Sequence, residues 1–354
     1  MALVERYGSP SSQIVRLMKA WEYPFRNVEK DDKILILTDD AQDPLVWQSA
    51  MAAIYERGAD PTLAMQPRRE YHDADPNWGL IAAIKEADLC LGLVTTAINS
   101  GCPALRALRA AGTRANVVLM EETTVEVLLE GGGRAKSEDV QEMMEIQRRI
   151  GLIYEKGKMI RLTSKYGMNL TAAITSYEPG FYGGIGGRRG TGVEPFSRNQ
   201  ETGKLGGGTW PYGEIHIEPT PNSANGTAVW DTTAHYPPGV WKNPVQLTIK
   251  DGTVTAIDGG GEADQVRWYL DKYGDENSRR VGGEMSIGTN KLAMPNMGLM
   301  RSEKKRYGAM HYGIGHGADL GMVNSVLRLE GIIDRITVVV DDDVVVAQDG
   351  KILV

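Results

Sequence analysis

Buried-strand patterns alternate with helix patterns along the first part of the chain. Apolar runs such as ILIL at 34–37 and LCLGLV at 89–94 are entered from charged residues, and helix signals separate them, including Pro103 at a helix start and Gly58 at a helix end. Parallel strands need a crossover connection, usually a helix. The pattern therefore predicts an α/β domain at 1–158, with a parallel sheet covered by helices on both faces.

From Met159 the pattern changes to short strands joined by tight turns. The segment MIRLTSKYGMNLTAAI predicts two strands around a Tyr166-Gly167 turn, and QLTIKDGTVTAIDG predicts a β-hairpin with Asp251-Gly252 at its turn. The final segment, DRITVVVDDDVVVAQDGKILV, predicts further strands joined by Asp-rich turns. We therefore expect a second domain at 159–354 that is α+β and largely antiparallel.

A segment rich in glycine and arginine, 179–208, interrupts this second domain and includes FYGGIGGRRGTG. A phosphate-binding loop would need the lysine of GxxxxGK[ST], which is absent, and no GxGxxG follows the first strand. The better interpretation is a long loop at an active site or an interface.

Composition excludes several classes of function. The 354 residues carry a formal net charge of −7, which argues against nucleic acid or an anionic membrane as the main partner. No apolar run approaches the roughly 18 residues of a membrane span. Cys90 and Cys102 form no CxxC pair, and the segment MALVERYGSP has no apolar signal core. We expect a cytoplasmic protein that acts on a small molecule.

Three polar motifs in the second half of the chain predict a metal site. Glu214 follows Gly213 in PYGEIHIEP, Glu284 follows two glycines in RRVGGEMSIGTN, and His311 lies in AMHYGIGHG. Each has an ordinary alternative: a solvated strand face, an arginine partner and a core histidine, respectively. Carboxylate and imidazole ligands together suit one divalent metal ion, whether zinc, manganese, cobalt or iron.

Strand alternation extends the candidate site beyond these motifs. Because side chains alternate along a strand, Glu214, His216 and Glu218 are predicted to share one face. His216 and Tyr312 are weaker candidates for a general acid. The ordinary role of each is packing or hydrogen bonding.

The motifs resemble, in the same order, those of the aminopeptidase T family of thermophilic metalloproteases. The resemblance rests on TWPYGEIHIEPTPNSANGTAVWD, QLTIKDGTV, RRVGGEMSIGTN, RSEKKRYGAMHYGIG and NSVLRLEGI, and it is strongest from Gly206 to Glu330. That family is also similar to 2,5-dihydroxypyridine 5,6-dioxygenase. The resemblance implies a homo-oligomer, in which Arg188 and Arg189 are predicted to reach a neighbouring subunit.

The resemblance implies that Glu214, Glu284 and His311 match three ligands of a two-metal aminopeptidase site. Where that family has a His-x-Asp pair for the remaining ligands, this chain has Arg328 and Glu330. The iron site of the dioxygenase falls on Glu284, Arg328 and Glu330, so both of its histidines are missing. Arginine stays protonated and does not ligate a metal. We therefore predict one cation.

Arg328 and Glu330 are predicted to take catalytic roles in place of the missing ligands. Arg328 would bind a substrate carboxylate or stabilise a developing oxyanion. Glu330 would orient Arg328 or act as a general base. The ordinary alternative for the pair is a structural salt bridge.

Three functions are consistent with these residues. The first is a metal-dependent hydrolase of a small amide, peptide or cyclic-amide substrate, with Arg328 binding an anionic group. The second is an iron(II)-dependent dioxygenase that opens the ring of a hydroxylated N-heteroaromatic compound. The third is a metal-free member of the fold that binds a ligand or uses Arg328 as an electrophile. The replaced ligand pair argues against ordinary aminopeptidase activity.

Overall fold

The computed structural model describes residues 8–98, 102–110, 116–174, 194–198, 200, 203, 205–317 and 323–354. The chain divides into two compact units, Met1–Val140 with Val193–Tyr212 and Gln141–Gly192 with Gly213–Val354. This division differs from the boundary predicted at residue 158. The chain returns to the first unit through a two-residue strand at Gly208–Thr209, which is too short to leave a pattern in the sequence.

Among its described residues, the first unit has one parallel sheet and five α-helices. Its strands are β1 (Ile34–Asp39), β2 (Thr62–Gln66), β3 (Leu89–Leu93), β4 (Val117–Leu119) and β7 (Gly208–Thr209). They are all parallel, in the order β2-β1-β3-β4-β7. The helices are α1 (Pro10–Ala20), α2 (Pro44–Glu56), α3 (Trp78–Glu86), α4 (Pro103–Ala110) and α5 (Val125–Leu129), followed by a 3₁₀ helix at Gly132–Arg134. The predicted α/β fold is confirmed.

Local sequence signals explain where these helices begin. Pro103 opens α4, as predicted, because its fixed φ and missing N–H suit the first helical turn. Asp43 caps α2 by accepting a hydrogen bond from Leu45 N at 2.9 Å, and Asn77 caps α3 by accepting one from Leu80 N at 3.1 Å.

The described part of the second unit has two antiparallel sheets. The large sheet has the strands β5 (Met159–Thr163), β6 (Asn169–Ala173), β9 (Asn225–Trp230), β10 (Val245–Lys250), β11 (Thr253–Gly259), β15 (Thr337–Val340), β16 (Val344–Gln348) and β17 (Lys351–Ile352). Their order is β11-β10-β9-β6-β5-β15-β16-β17. The small sheet has the strands β8 (Glu214–Ile217), β12 (Met285–Gly288), β13 (Met310–Gly315) and β14 (Arg328–Ile333), in the order β14-β13-β12-β8.

Three helices are seen beside these sheets in the described ranges. They are α6 (Ser137–Lys156), which crosses from the first unit into the second, α7 (Gly261–Tyr273) and the single-turn helix α8 (Met300–Glu303). The predicted largely antiparallel α+β character of this part of the chain is confirmed.

The two predicted tight turns are present in the large sheet. β5 and β6 pair on either side of Tyr166-Gly167, and β10 and β11 pair on either side of Asp251-Gly252. Asp251 and Gly252 both have positive φ, 46° and 69°, as the turns favoured in two-residue hairpins require.

One face of the small sheet packs on an indole of the large sheet. The ring of Trp230 lies directly over Gly331, where any side chain would overlap it, and Trp230 Nε1 donates a hydrogen bond to the carbonyl of Tyr312 at 3.1 Å. Ile215, Ile217 and most other apolar side chains of the small sheet share this face by strand alternation, whereas Ile332 pairs with His311 and lies on the opposite face. The opposite face is therefore left for the polar side chains.

Two predictions concern other parts of the chain. Arg188 and Arg189, with most of the segment 179–208, lie outside the described residues, so the predicted loop and its subunit contact stay predictions. Among the residues that the structure describes, no helix combines the length and the apolar character needed to cross a membrane.

Candidate metal centre

The face of the small sheet opposite Trp230 is polar, and it is buried. Residues paired across antiparallel strands point to the same side, and Ser286 pairs with both His216 and His311. We call this side the polar face. Its polar side chains are Glu214, His216, Glu218, Glu284, Ser286, His311, Arg328 and Glu330, and none is more than 4% exposed.

Gly313 allows two carboxylates of the polar face to converge. It donates its N–H to the carbonyl of Glu284 at 3.0 Å and pairs with Glu330 on the other side. A Cβ at position 313 would lie 3.1 Å from Glu330 Cγ, which is tighter than ordinary contact. With no side chain between them, Glu284, His311 and Glu330 each place one ligand atom within 4.8 Å of the other two.

Gly213 positions Glu214 at the start of β8. Its φ is 122°, and a Cβ there would lie 2.7 Å from Asn290 Cβ, so only glycine fits. The Glu214 carboxylate then lies between two partners. Its Oε2 is 3.7 Å from His311 Nδ1, and its Oε1 forms an ion pair with Lys305 Nζ.

Glu284 has an imidazole at each of its two carboxylate oxygens. Its Oε1 is 2.8 Å from His311 Nε2, and its Oε2 is 3.6 Å from His216 Nδ1. The first distance is a hydrogen bond, whereas the second is an electrostatic contact.

Buried cations approach the polar face from the segment that begins with α8. Met300 packs against Ile332, which anchors this segment beside β14. Lys304 Nζ then lies 3.2 Å from Glu330 Oε2, and Lys305 reaches Glu214. Both lysines are at most 1% exposed. Because burying an unpaired charge is costly, these ion pairs are what allow the carboxylates to be buried.

Arg328 provides a further positive charge on the polar face itself. Its Nε lies 3.0 Å from Glu330 Oε1, and the residue is 3% exposed. The predicted contact between Arg328 and Glu330 is therefore present. Glu330 is shared between this guanidinium and Lys304.

The electrostatics of Glu214 are dominated by burial and by its cationic neighbours. Burial alone would raise the pKa of this carboxyl, but Lys305, His311 and Lys304 together lower it to about 2. Burial lowers the pKa of Lys305 to about 7, outweighing the attraction of Glu214. Glu214 is therefore ionised throughout the neutral range.

Glu284 and Glu330 are ionised for similar reasons. Burial and the nearby charge of Glu330 oppose ionisation of Glu284, but His216, Arg328 and the other neighbours hold its pKa at about 2. Burial also opposes ionisation of Glu330, and Arg328 and Lys304 hold its pKa well below the usual range. Both carboxyls are in the form that binds cations.

We expect the protein to lose stability as the pH falls from about 4.5 towards 2. Glu214 and Glu284 have a pKa of about 2 in the folded protein, against 4.5 for the free side chain, so the unfolded state takes up protons first. The stabilisation that these two carboxylates contribute is fully present above pH 4.5 and is lost as the pH falls to 2. Each pKa shift corresponds to on the order of 3 kcal/mol of folding free energy. Urea unfolding across this interval measures it, and equal free energies at both ends would contradict the prediction.

The structure brings together five of the six residues predicted for the site. Tyr312 is the exception, because it follows His311 along β13 and therefore points to the opposite face. Its hydroxyl is buried, forms no hydrogen bond to any described residue, and has a pKa raised by burial well above the usual range. The structure places Tyr312 away from the polar face, and its role as a general acid stays a prediction. The five on the polar face are Glu214, Glu284, His311, Arg328 and Glu330.

Sequence interpretation missed four residues near the polar face. His235 Nε2 lies 3.6 Å from Glu330 Oε2. Lys304, Lys305 and Arg301 belong to the charged run RSEKKR, which is typical of a solvated surface, yet all three are at most 1% exposed. No signal in a single sequence distinguishes this run from a surface segment.

The donor set of Glu284, His311 and Glu330 fits one divalent cation. Two carboxylate oxygens and an imidazole nitrogen are ligands of zinc, manganese, cobalt and iron(II). Ligand atoms at about 2.1 Å from one ion lie at most about 4.2 Å apart. The observed spacing of up to 4.8 Å therefore needs only a small contraction. Of the predicted ligands, Glu214 lies outside this set, and its assignment as a ligand stays a prediction.

The fold and this buried donor set place the chain among metalloenzymes. Comparison with family models identifies the family. The model for NicX, 2,5-dihydroxypyridine 5,6-dioxygenase, matches residues 16–353, and the chain belongs to that family. Comparison with proteins of curated function gives no match.

The solved structures that share the fold include the following two. The 2,5-dihydroxypyridine dioxygenase from Pseudomonas putida KT2440 superposes with a TM-score of 0.68 at 18% identity, over 98% of both chains. Wild-type AmpT from Thermus thermophilus, an aminopeptidase T, superposes with a TM-score of 0.59 at 14% identity, over 98% of this chain and 100% of that one. The predicted relationship to both groups is confirmed, and both are enzymes.

Proposed function

We propose that the protein is a metal-dependent hydrolase of a small amide, peptide or cyclic-amide substrate. The observation that supports this proposal most directly is the convergence of Glu284, His311 and Glu330 on one buried face. A divalent cation held by these three residues would supply a Lewis acid and lower the pKa of water at the site. The side chains around these residues would bind the substrate and stabilise the charge that develops during the reaction.

Arg328 is the group proposed to bind an anionic part of the substrate. A guanidinium presents a planar set of donors that matches a carboxylate, and it remains charged at any relevant pH. Its contact with Glu330 at 3.0 Å restricts its orientation. The same charge would stabilise an oxyanion that develops at the attacked carbonyl, because burial strengthens such an interaction.

Burial of the polar face contributes to the proposed reaction by excluding bulk water. Hydrogen-bond donors and charges act more strongly where competing solvent is absent. Glu284 and Glu330 keep their negative charge in this environment because buried cations accompany them. Both carboxylates are therefore charged before the substrate binds, so substrate binding requires no rearrangement of these charges.

An iron(II)-dependent dioxygenase that opens a hydroxylated N-heteroaromatic ring is the second candidate. Membership of the 2,5-dihydroxypyridine 5,6-dioxygenase family favours it. The donor set argues for the hydrolase, because Glu284, His311 and Glu330 offer one histidine and two carboxylates. Non-haem iron(II) oxygenases commonly use two histidines and one carboxylate.

The two candidates predict opposite responses to oxygen. We expect turnover of a cyclic amide or a short peptide to continue under strict anaerobiosis, with one oxygen atom of the product taken from isotopically labelled water. Mass spectrometry of the product, after reconstitution with zinc, manganese or iron(II) in parallel, measures this. Glu284→Gln serves as the inactive control. Oxygen consumption that matches substrate loss, with label arriving from oxygen gas, would overturn the hydrolase in favour of the dioxygenase.

A further inference from the structure

His311 has a carboxylate near each of its two ring nitrogens. Nε2 is 2.8 Å from Glu284 Oε1, and Nδ1 is 3.7 Å from Glu214 Oε2. Neither His311 Nδ1 nor Glu214 Oε2 forms a hydrogen bond to a described residue, although both atoms are buried. Buried polar atoms are nearly always hydrogen-bonded. A shift of under roughly 1 Å would bring these two atoms to hydrogen-bonding distance.

Glu214 is fixed on the side that faces away from His311. Its Oε1 forms an ion pair with Lys305, which is fully buried. The backbone holds both partners, because Thr289 N donates to the carbonyl of Gly213 at 2.8 Å and Asn290 N donates to the carbonyl of Lys305 at 2.9 Å. The carboxylate is therefore bound to a cation that the chain itself provides.

Glu214 also lies outside the group of ligand atoms that converge. Among the described residues, the atoms within 4.8 Å of one another come from Glu284, His311 and Glu330. The nitrogen of His311 that faces Glu284 is Nε2, whereas Glu214 faces Nδ1. The two carboxylates thus act on opposite edges of one imidazole.

We propose that Glu214 is a positioning residue that orients His311, and that it does not ligate the metal. In this arrangement the Nδ1–H of His311 donates to Glu214, and the cation held with Glu284 and Glu330 would take the place of the proton in the 2.8 Å hydrogen bond between His311 Nε2 and Glu284. Histidines that bind metals commonly donate their other N–H to a carboxylate, which fixes the tautomer and makes the ligand more basic. The inference rests on the proposed metal centre and assigns Glu214 differently from the sequence prediction.

Lys305 completes the arrangement by neutralising Glu214. A carboxylate that is buried beside Glu284 and Glu330 without a counter-charge would attract a further cation or a proton. The ammonium group of Lys305 supplies that charge from within the chain. The centre therefore takes one metal ion per chain.

Metal binding separates a positioning role from a ligand role. We would titrate the unmodified protein, Glu214→Gln and Glu284→Gln with cobalt(II) and follow the visible absorption. Competition against a chromophoric chelator then gives the affinities. We expect Glu214→Gln to bind one equivalent of cobalt with an unchanged spectrum and an affinity about 10- to 100-fold lower. Glu284→Gln should lose the spectrum. Glu303→Gln is the matched control, because Glu303 is a buried carboxylate paired with Arg306 outside the polar face, and its affinity should not change.

The possible outcomes distinguish the inference from the proposed function. If Glu214→Gln loses the cobalt spectrum as Glu284→Gln does, Glu214 is a ligand and the inference is wrong while the metal centre stands. Unchanged affinity in Glu214→Gln would make its role purely structural and would also overturn the inference. Absence of binding by the unmodified protein would overturn the proposed function and the inference with it. If Glu214→Gln does not fold, the double variant with Lys305→Met, which removes both charges, is titrated in its place with the same expectation.

Discussion

Glu284→Gln should abolish stoichiometric metal binding and, with it, turnover. The substitution keeps the shape of the side chain but replaces a carboxylate oxygen of the donor set with a weaker amide ligand. Glu284 is ionised, hydrogen-bonded to His311 at 2.8 Å, and one of three residues whose ligand atoms converge. Loss of a residue that only hydrogen-bonds to a metal ligand lowers metal affinity by up to roughly 100-fold. We expect the loss of Glu284, which is itself a proposed ligand, to lower it by more. Elemental analysis after dialysis, beside activity under identical conditions, measures both effects.

The unmodified protein and Glu303→Gln are the controls for that experiment, and each should contain about one metal ion per chain. Full metal content in Glu284→Gln would contradict the assignment of this residue as a ligand. Two ions per chain in the unmodified protein would favour an aminopeptidase site with a further ligand. Full activity after chelation would instead favour the metal-free member of the fold that binds its ligand through Arg328.

Lys305→Met should be among the most destabilising single substitutions in the chain. The change keeps the length and most of the volume of the side chain but leaves the Glu214 carboxylate without its main counter-charge, at 4% exposure. Breaking a buried ion pair by removing one partner typically costs about 3–5 kcal/mol. The free energy of unfolding from urea titration at about pH 6, below the Lys305 pKa of about 7, measures the loss for the metal-free protein.

Two further variants test the cause of this loss. Lys291→Met removes a lysine whose ion pair with Glu142 is about half exposed, at 55% and 54%, and should cost at most about 1 kcal/mol. Adding Glu214→Gln to Lys305→Met should recover a large part of the lost stability, because the unpaired charge is removed as well. A loss in Lys305→Met no larger than in Lys291→Met would contradict the assignment of a buried pair.

Local patterns in the sequence predict much of the fold. Strand and helix alternation, Pro103 at a helix start and Asp251-Gly252 at a hairpin turn are all signals within a few residues of one another, and the structure confirms them. Strand β7 is different, because its pairing with β4 joins residues about ninety positions apart through two residues only. Contacts of that kind leave no local pattern.

The candidate site was predictable where strand alternation and glycine positions mark it. Glu214 and His216 share a face as alternation requires, and Glu284 and His311 lie together. The cationic side of the site was not predictable, because a run such as RSEKKR has the same composition whether it is solvated or buried. In the folded chain, Met300 packs with Ala309 and Ile332, and this tertiary contact holds the segment against β14.

The position of Gly313 between Glu284 and Glu330 also limits which acidic residues the site accepts. These two residues lie on either side of β13, so their backbones are separated by two strand spacings, roughly 9.5 Å. Their carboxylates approach one another only because each side chain reaches across half of that gap above a residue without a Cβ. Aspartate, one methylene shorter, would keep the charge but fall short of the centre from either side. The geometry at these two positions therefore requires a particular side-chain length as well as a negative charge.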